Sequence, residues 1–149
     1  MKLIKKSIAL MFTISTLTFN AQTSKDLNTA FSQSYDYEAI AKYDAAITAI
    51  NNVYSATSYE INLRMGWLNY MAGKSKESIG YYQKAIALMP AATEPKWAII
   101  NPYTVLENWT EIEKTYLAIL KLDSKNATAN YNLGLIYYYR KDYFSAKKH

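Results

Sequence analysis

A chain of 149 residues is long enough for one compact domain or a short solenoid. It has no cysteine and a single histidine, His149, so disulfide frameworks, His/Cys metal spacings and Cys-His or Ser-His pairs within one chain are excluded. Half of its residues are hydrophobic, with only 4 Gly and 3 Pro, which argues against disorder and turn-rich β folds, and its formal charge is +5.

The first residues, MKLIKKSIALMFTISTLTFNAQ, have the three-part pattern of a secretory signal. Lys2, Lys5 and Lys6 form a positive start, Ile8 to Phe19 an apolar run, and Asn20-Ala21-Gln22 a cleavage point after Ala21. Residues 1–21 are therefore expected to be a signal peptide. The remainder, 22–149, is expected to be exported to the periplasm or envelope of a bacterium, or secreted. No later stretch approaches a transmembrane span. Removing the three leader lysines lowers the net charge to +2, so the basic balance gives little support to nucleic-acid binding.

The mature chain opens on polar residues, with a short helix expected around Asp26 to Gln33. Asp36 is a candidate N-cap for a stronger helix on which Tyr37, Ile40, Tyr43, Ile47 and Ile50 recur at three- and four-residue steps. Ala39, Ile40, Tyr43, Ala46 and Ile47 match Ser78, Ile79, Tyr82, Ala85 and Ile86 at an interval of 39, so about five extra residues are expected near Asn51 to Ser58. Tyr59 to Ala72 predicts a helix, Gly73-Lys74 a turn, and Ser75 a cap for a helix running to about Leu88 before Pro90. In the next unit, Pro102 falls inside the helix expected over Lys96 to Leu106 and predicts a bend or break. Asn108 to Glu111 resembles a capping box at the start of the following helix. Ala127 to Arg140 predicts a further helix, Lys141-Asp142 its turn, and Tyr143 to His149 the beginning of another.

One interval recurs. Met65-Gly66, Ile99-Ile100 and Leu133-Gly134 are spaced at 34, as are Tyr82 and Tyr116, Leu88 and Leu122, Trp97 and Tyr131, and Tyr103 and Tyr137. On these residues the chain resembles the tetratricopeptide repeats, helix-turn-helix units of about 34 residues marked by Leu-Gly, Tyr, Ala, an aromatic and Pro. In Tyr59 to Pro90 the matches are Met65-Gly66, Ser78, Tyr82, Ala85 and Pro90; Asn62 departs from the large first residue and Asn69 from the tyrosine. In Thr93 to Asn126, Ile99, Tyr103 and Tyr116 match, while Ile100 replaces Gly and Ser124 replaces Pro. Leu133-Gly134, Tyr137 and Ala146 carry the resemblance onward. It implies an all-α fold, an α-solenoid of stacked antiparallel helix pairs forming a right-handed superhelix. The units would be 22–53 (degenerate), 59–92, 93–126 and 127–149 (incomplete).

Little in the sequence suggests catalysis. Glu111 and Glu113 are two apart on a helix and do not face each other, and no Gly-rich phosphate loop is present. No cofactor, metal or enzymatic activity is expected. Arg140, Lys141, Lys147 and Lys148 lie near Tyr137 to Tyr139 and Tyr143, but the small net charge makes them a solvated turn and helix start. The resemblance implies that the first helix of each unit lines a concave groove that binds a protein or peptide. Its lining would be Glu60, Leu63, Trp67, Tyr70 and Met71, then Glu94, Trp97, Asn101, Thr104 and Val105, then Thr128, Tyr131, Leu135, Tyr138 and Tyr139. That lining is aromatic and apolar, with little charge, and suits an extended peptide or amphipathic helix. It differs from the Lys/Asn clamp with which chaperone-binding relatives hold a C-terminal carboxylate, because Leu63 and Trp67 stand where that clamp is polar. Tyr143 to His149 supplies only about two helical turns, leaving Leu133, Ile136 and Tyr137 without their cover. The expectation is a fragment of a longer protein, or a chain that associates with itself or another chain through this end. A non-catalytic scaffold is the first reading; an accessory repeat domain of a longer envelope enzyme or transport machine is the second.

Overall fold

The computed structural model describes residues 24–149; the expected signal peptide at 1–21 lies outside them. Among the described residues there are helices and no strand. They are α1 (residues 24–39), α2 (Tyr43–Asn51), α3 (Tyr59–Met71), α4 (Ser75–Leu88), α5 (Glu94–Val105), α6 (Trp109–Leu122), α7 (Ala127–Tyr139) and α8 (Tyr143–Lys148). No described helix is long and apolar enough to cross a membrane. The chain divides into two compact units between Tyr54 and Ser55. The first carries α1 and α2. In the second, α3 to α8 stack as helix pairs, each helix against its neighbour in the chain, with α3 also touching α5.

The same turn closes every pair. Its key residue has a positive φ: Ala41 (56°), Gly73 (76°), Glu107 (52°) and Lys141 (63°). In each case that residue's N–H bonds to the carbonyl three residues back, and the next N–H to the carbonyl five back from itself, as in Gly73 to Tyr70 and Lys74 to Asn69. This is the Schellman arrangement, which satisfies the last helical carbonyls. Only Gly73 takes the left-handed conformation without steric cost; Lys141 stands at the turn expected at Lys141-Asp142, whereas the turns at Ala41 and Glu107 carry no glycine to mark them.

The turns correct the reading of the first unit. Asp36 does not cap a helix; it lies within α1, which continues through residue 39. The turn comes at Ala41, beyond the helix start expected at Tyr37. From Ala41 to Gly73 the interval is 32, so the true correspondence is 32 and not 39. It pairs Ala46 with Ser78 and Ile50 with Tyr82, all buried. The length difference comes from α2, which has 9 residues where α4 has 14.

Helix ends in the second unit follow local chemistry. The side chains of Ser58, Asn108, Asn126 and Asp142 accept hydrogen bonds from the N–H groups of Ile61, Glu111, Ala129 and Ser145. Ser75 does not cap α4 as expected; it is the first helical residue and is buried. Pro102 does not break α5, which runs without interruption from Glu94 to Val105. Its ring is fully buried and the missing N–H falls in the last turn, where only one internal bond is forfeited.

Three connectors are held by one device. Asn62 Nδ2 donates to the carbonyls of Ala56 (3.1 Å) and Ser58 (2.7 Å). Lys96 Nζ donates to Pro90 (2.5 Å) and Ala92 (2.8 Å), and Asn130 Nδ2 to Ser124 (3.2 Å) and Asn126 (3.0 Å). The donors recur at the repeat interval, and each reaches carbonyls four and six positions back. Asn62 therefore departs from the repeat pattern for a structural reason. Burial lowers the pKa of Lys96, because its ammonium is withdrawn from water.

The core joins α4 to α7 through Tyr82, Ile99, Tyr103, Ile112, Tyr116, Ile119, Ala129 and Leu133. Leu133, expected on an uncovered face, is fully buried, while Ile136 and Tyr137 are half-buried, because α8 and the core both pack against α7. At Gly66 the fit is tight: a Cβ there would lie 2.5 Å from the Tyr82 ring. Gly66→Ala is expected to destabilise the chain by about 1–3 kcal/mol through overpacking, read from the midpoint of urea unfolding. Lys96→Ala, which leaves two carbonyls without their donor, should cost about 1–3 kcal/mol, whereas Lys96→Asn, the residue of the two sister positions, should retain stability. The unfolded chain holds the Lys96 proton more tightly than the folded one. Wild-type stability should therefore rise as pH approaches the ordinary lysine range from below. Urea midpoints at about pH 7 and about pH 10 should show that rise reduced in Lys96→Asn.

Candidate functional site

The expected groove residues fall into two groups. Trp67 is 36% exposed and its ring is tilted against Tyr70, centroids 6.0 Å apart. Tyr131, Tyr138 and Tyr139 are 65%, 56% and 78% exposed, and Asn101 is also exposed. Tyr138 packs edge-on against both Tyr139 (5.8 Å) and Tyr143 (5.7 Å). The aromatic ones present apolar surface to solvent. Leu63, Tyr70, Met71, Trp97 and Leu135 are half-buried. Leu63 and Trp97 pack against the core, and Trp97 meets Tyr116 edge-on at 5.9 Å. Their contribution to any binding face is limited to the area this packing leaves open.

A cleft of about 530 Å³ lies between the α5–α6 pair and α7. Ile100 and Thr104 come from α5, and Trp109, Ile112 and Tyr116 from α6. Helix α7 adds Asn132, Leu135, Ile136 and Tyr139, and Arg140 follows at its end. Thr104, Leu135 and Tyr139 belong to the expected groove; the other lining residues do not. The signal that could have located the cleft was present at Ile100, which occupies the glycine position of the repeat. Burial raises the pKa of the Tyr116 hydroxyl.

Beside the cleft, α6 is tied to α7. The Tyr137 hydroxyl donates to Glu113 Oε1 at 2.9 Å, and Arg140 Nη1 donates to Glu113 Oε2 in an ion pair. Burial works against ionisation of Glu113, but the bonds from Arg140 and Tyr137 outweigh it and hold the carboxyl below its ordinary range. The Tyr137 ring stacks on His149, centroids 5.7 Å apart, and His149 Nδ1 lies 3.1 Å from Asn130 Oδ1. An amide oxygen only accepts, so in this arrangement Nδ1 carries the proton. His149 is thus occupied structurally. Among the described residues no three His, Cys, Asp or Glu side chains gather to hold a metal ion.

No protein-family model matches the chain, and no curated protein matches it by sequence. Solved structures do match. A tetratricopeptide repeat protein from Parabacteroides merdae has a TM-score of 0.75 at 18% identity, over 83% of this chain and 50% of that one, so this chain spans half that protein's length. The chain has the tetratricopeptide-repeat fold. MamA is similar at a TM-score of 0.70 and 21% identity, covering 82% of this chain and 72% of that one. The second tetratricopeptide domain of human RPAP3, solved in complex with an HSP70 peptide, is similar at 0.65 and 16% identity, covering 76% and 97%. Among the expected groove residues, the exposed aromatics lie on α3 and α7, each the first helix of its pair.

The Glu113 cluster should be read out by acid. Its ionised form contributes stability above the ordinary carboxylate range, and the contribution is lost as pH falls through the lowered folded value. Arg140 is substantially exposed, so the effect is expected to be under about 1 kcal/mol. Glu113→Gln should flatten the loss of stability between about pH 5 and about pH 3, measured by urea unfolding across that range.

Proposed function

We propose that the chain is a non-catalytic scaffold that binds a peptide or helix of another protein along the face carrying Trp67, Tyr70, Tyr131 and Tyr138. The observation that carries this reading is the lack of charge at those positions together with the exposure of Trp67, Tyr131 and Tyr138. Trp67, Tyr131, Tyr138 and Tyr139 place large rings in water on the first helices of the pairs, and exposed apolar surface of this kind marks interaction sites. Tyr and Trp suit such surfaces because each joins an apolar body to a polar tip. The fold supports the reading, since two similar tetratricopeptide domains were solved with peptides of HSP70 and HSP90. The partner proposed here differs in chemistry from one held by a charged clamp: it presents an apolar stripe, because Leu63 and Trp67 offer no positive charge to a carboxylate.

Export is part of the same proposal. Lys2, Lys5 and Lys6 ahead of the run Ile8 to Phe19 would direct the chain to the bacterial envelope, where the scaffold would act.

Selection from a random peptide library displayed on phage tests the binding face directly. Peptides rich in apolar residues should be enriched. Trp67→Ala combined with Tyr138→Ala should weaken the selected peptides at least about tenfold, since two interface aromatics are removed, while helical circular dichroism is retained. Failure to enrich peptides, or equal affinity of the double variant, would overturn the proposal.

A further inference from the structure

The helix pairs of the second unit differ at one facing position. In α3–α4, Ser78 Oγ donates to the Gly66 carbonyl at 2.7 Å and draws the two helices together. In α7–α8 the corresponding residues are Gly134 and Ala146, and a Cβ on Gly134 would stand 3.5 Å from the Ala146 carbonyl oxygen. In α5–α6 the same places are held by Ile100 and Ile112. Two β-branched side chains thus replace a glycine and a small residue. The hydroxyl-to-carbonyl bond has no donor here, and α5 packs far less closely on α6 than α3 does on α4. Ile100 and Ile112 both stand in the wall of the cleft of about 530 Å³, a volume in the range that holds a ligand group.

The polar groups of the cleft narrow its occupant. Arg140 is neutralised by Glu113. Thr104 Oγ1 donates to the Ile100 carbonyl and Asn132 Nδ2 to Thr128, so the Thr104 proton and one of the two Asn132 N–H groups are used within their own helices. Tyr116 lines the cleft, is 8% exposed, and has no hydrogen bond to any described residue. A charged occupant would lose water without gaining a free counter-charge. An aliphatic one would cover the Tyr116 hydroxyl and leave it unpaired.

We propose that this cleft is an anchor pocket for one tyrosine or tryptophan side chain of a bound polypeptide, seated between the isoleucines and hydrogen-bonded to Tyr116. The proposal rests on the peptide-binding reading above. It extends that reading because Leu135 and Tyr139 belong both to the expected groove and to the cleft wall, so a peptide on the groove face passes the pocket mouth.

Titration of the ¹⁵N-labelled chain with N-acetyl-L-tyrosinamide, N-acetyl-L-phenylalaninamide and N-acetyl-L-leucinamide, followed by NMR, tests it without knowledge of the partner. Saturable shifts are expected around Ile100, Ile112, Tyr116 and Leu135. The tyrosine amide should bind more tightly than the phenylalanine amide by about threefold to tenfold, the worth of one hydrogen bond. Tyr116→Phe should bring the two to parity. Ile100→Gly with Ile112→Ser, which restores the residue types of α3–α4, should abolish the shifts with circular dichroism unchanged. If that variant does not fold, Leu135→Trp fills the cleft from its half-exposed wall and should have the same effect. Shifts that scatter over the surface, do not saturate, or persist in the variant that folds would overturn the pocket. If the pocket fails while Trp67→Ala with Tyr138→Ala still loses selected peptides, the scaffold reading stands alone. If the amides bind but no peptides are selected, the scaffold reading fails and the cleft is a small-molecule site.

Discussion

Within the second unit each helix pair begins from the connector that leads into it, and that connector is held by side chains that bond backwards. Asn62, Lys96 and Asn130 each stand near the start of a new helix and donate to two carbonyls of the connector just traversed. Each donor holds two carbonyls of its connector at once, so these bonds fix the connector's shape and with it the start of the next helix. Lysine performs the task with a longer side chain and a charge that burial disfavours. The same geometry from two chemistries indicates that the pair of carbonyl acceptors, rather than the donor, defines the device.

Within a pair, closeness is set by volume. Gly66 receives the Tyr82 ring and the Ser78 hydroxyl bond; no larger residue leaves room for the ring. Where both small residues become isoleucine, the helices separate and a cleft appears beside α7. Protein interiors are close-packed, so a local increase in side-chain volume is not absorbed by compression and is expressed as a gap. That gap joins a face already rich in exposed aromatic rings, which is how an irregularity in the repeat becomes a candidate for specificity.

Much of this is legible in the residues. The common spacing of Met65-Gly66, Ile99-Ile100 and Leu133-Gly134 locates the helices of the second unit, and Asn108 announces the start of α6. The first unit misleads because its amphipathic pattern runs through the turn: Tyr37 and Ile40 continue the period of Tyr43 and Ile47 although Ala41 has already left the helix. Periodicity reports which face is apolar and says nothing of where a left-handed residue interrupts it. The bonds of Asn62 and Lys96 are likewise hidden, since a polar residue at an apolar repeat position reads as degeneracy until its acceptors are seen.

By itself, then, the sequence determined the all-helical class, the repeat length and the scarcity of catalytic groups, because these follow from periodicity and from which residue types are present. Tertiary structure alone decided that Pro102 leaves α5 continuous, that Leu133 and Trp97 are packed rather than open, and that Ile100 and Ile112 meet in the wall of a cleft. Each of those outcomes depends on what stands opposite a side chain from another helix, and local pattern does not encode that partner.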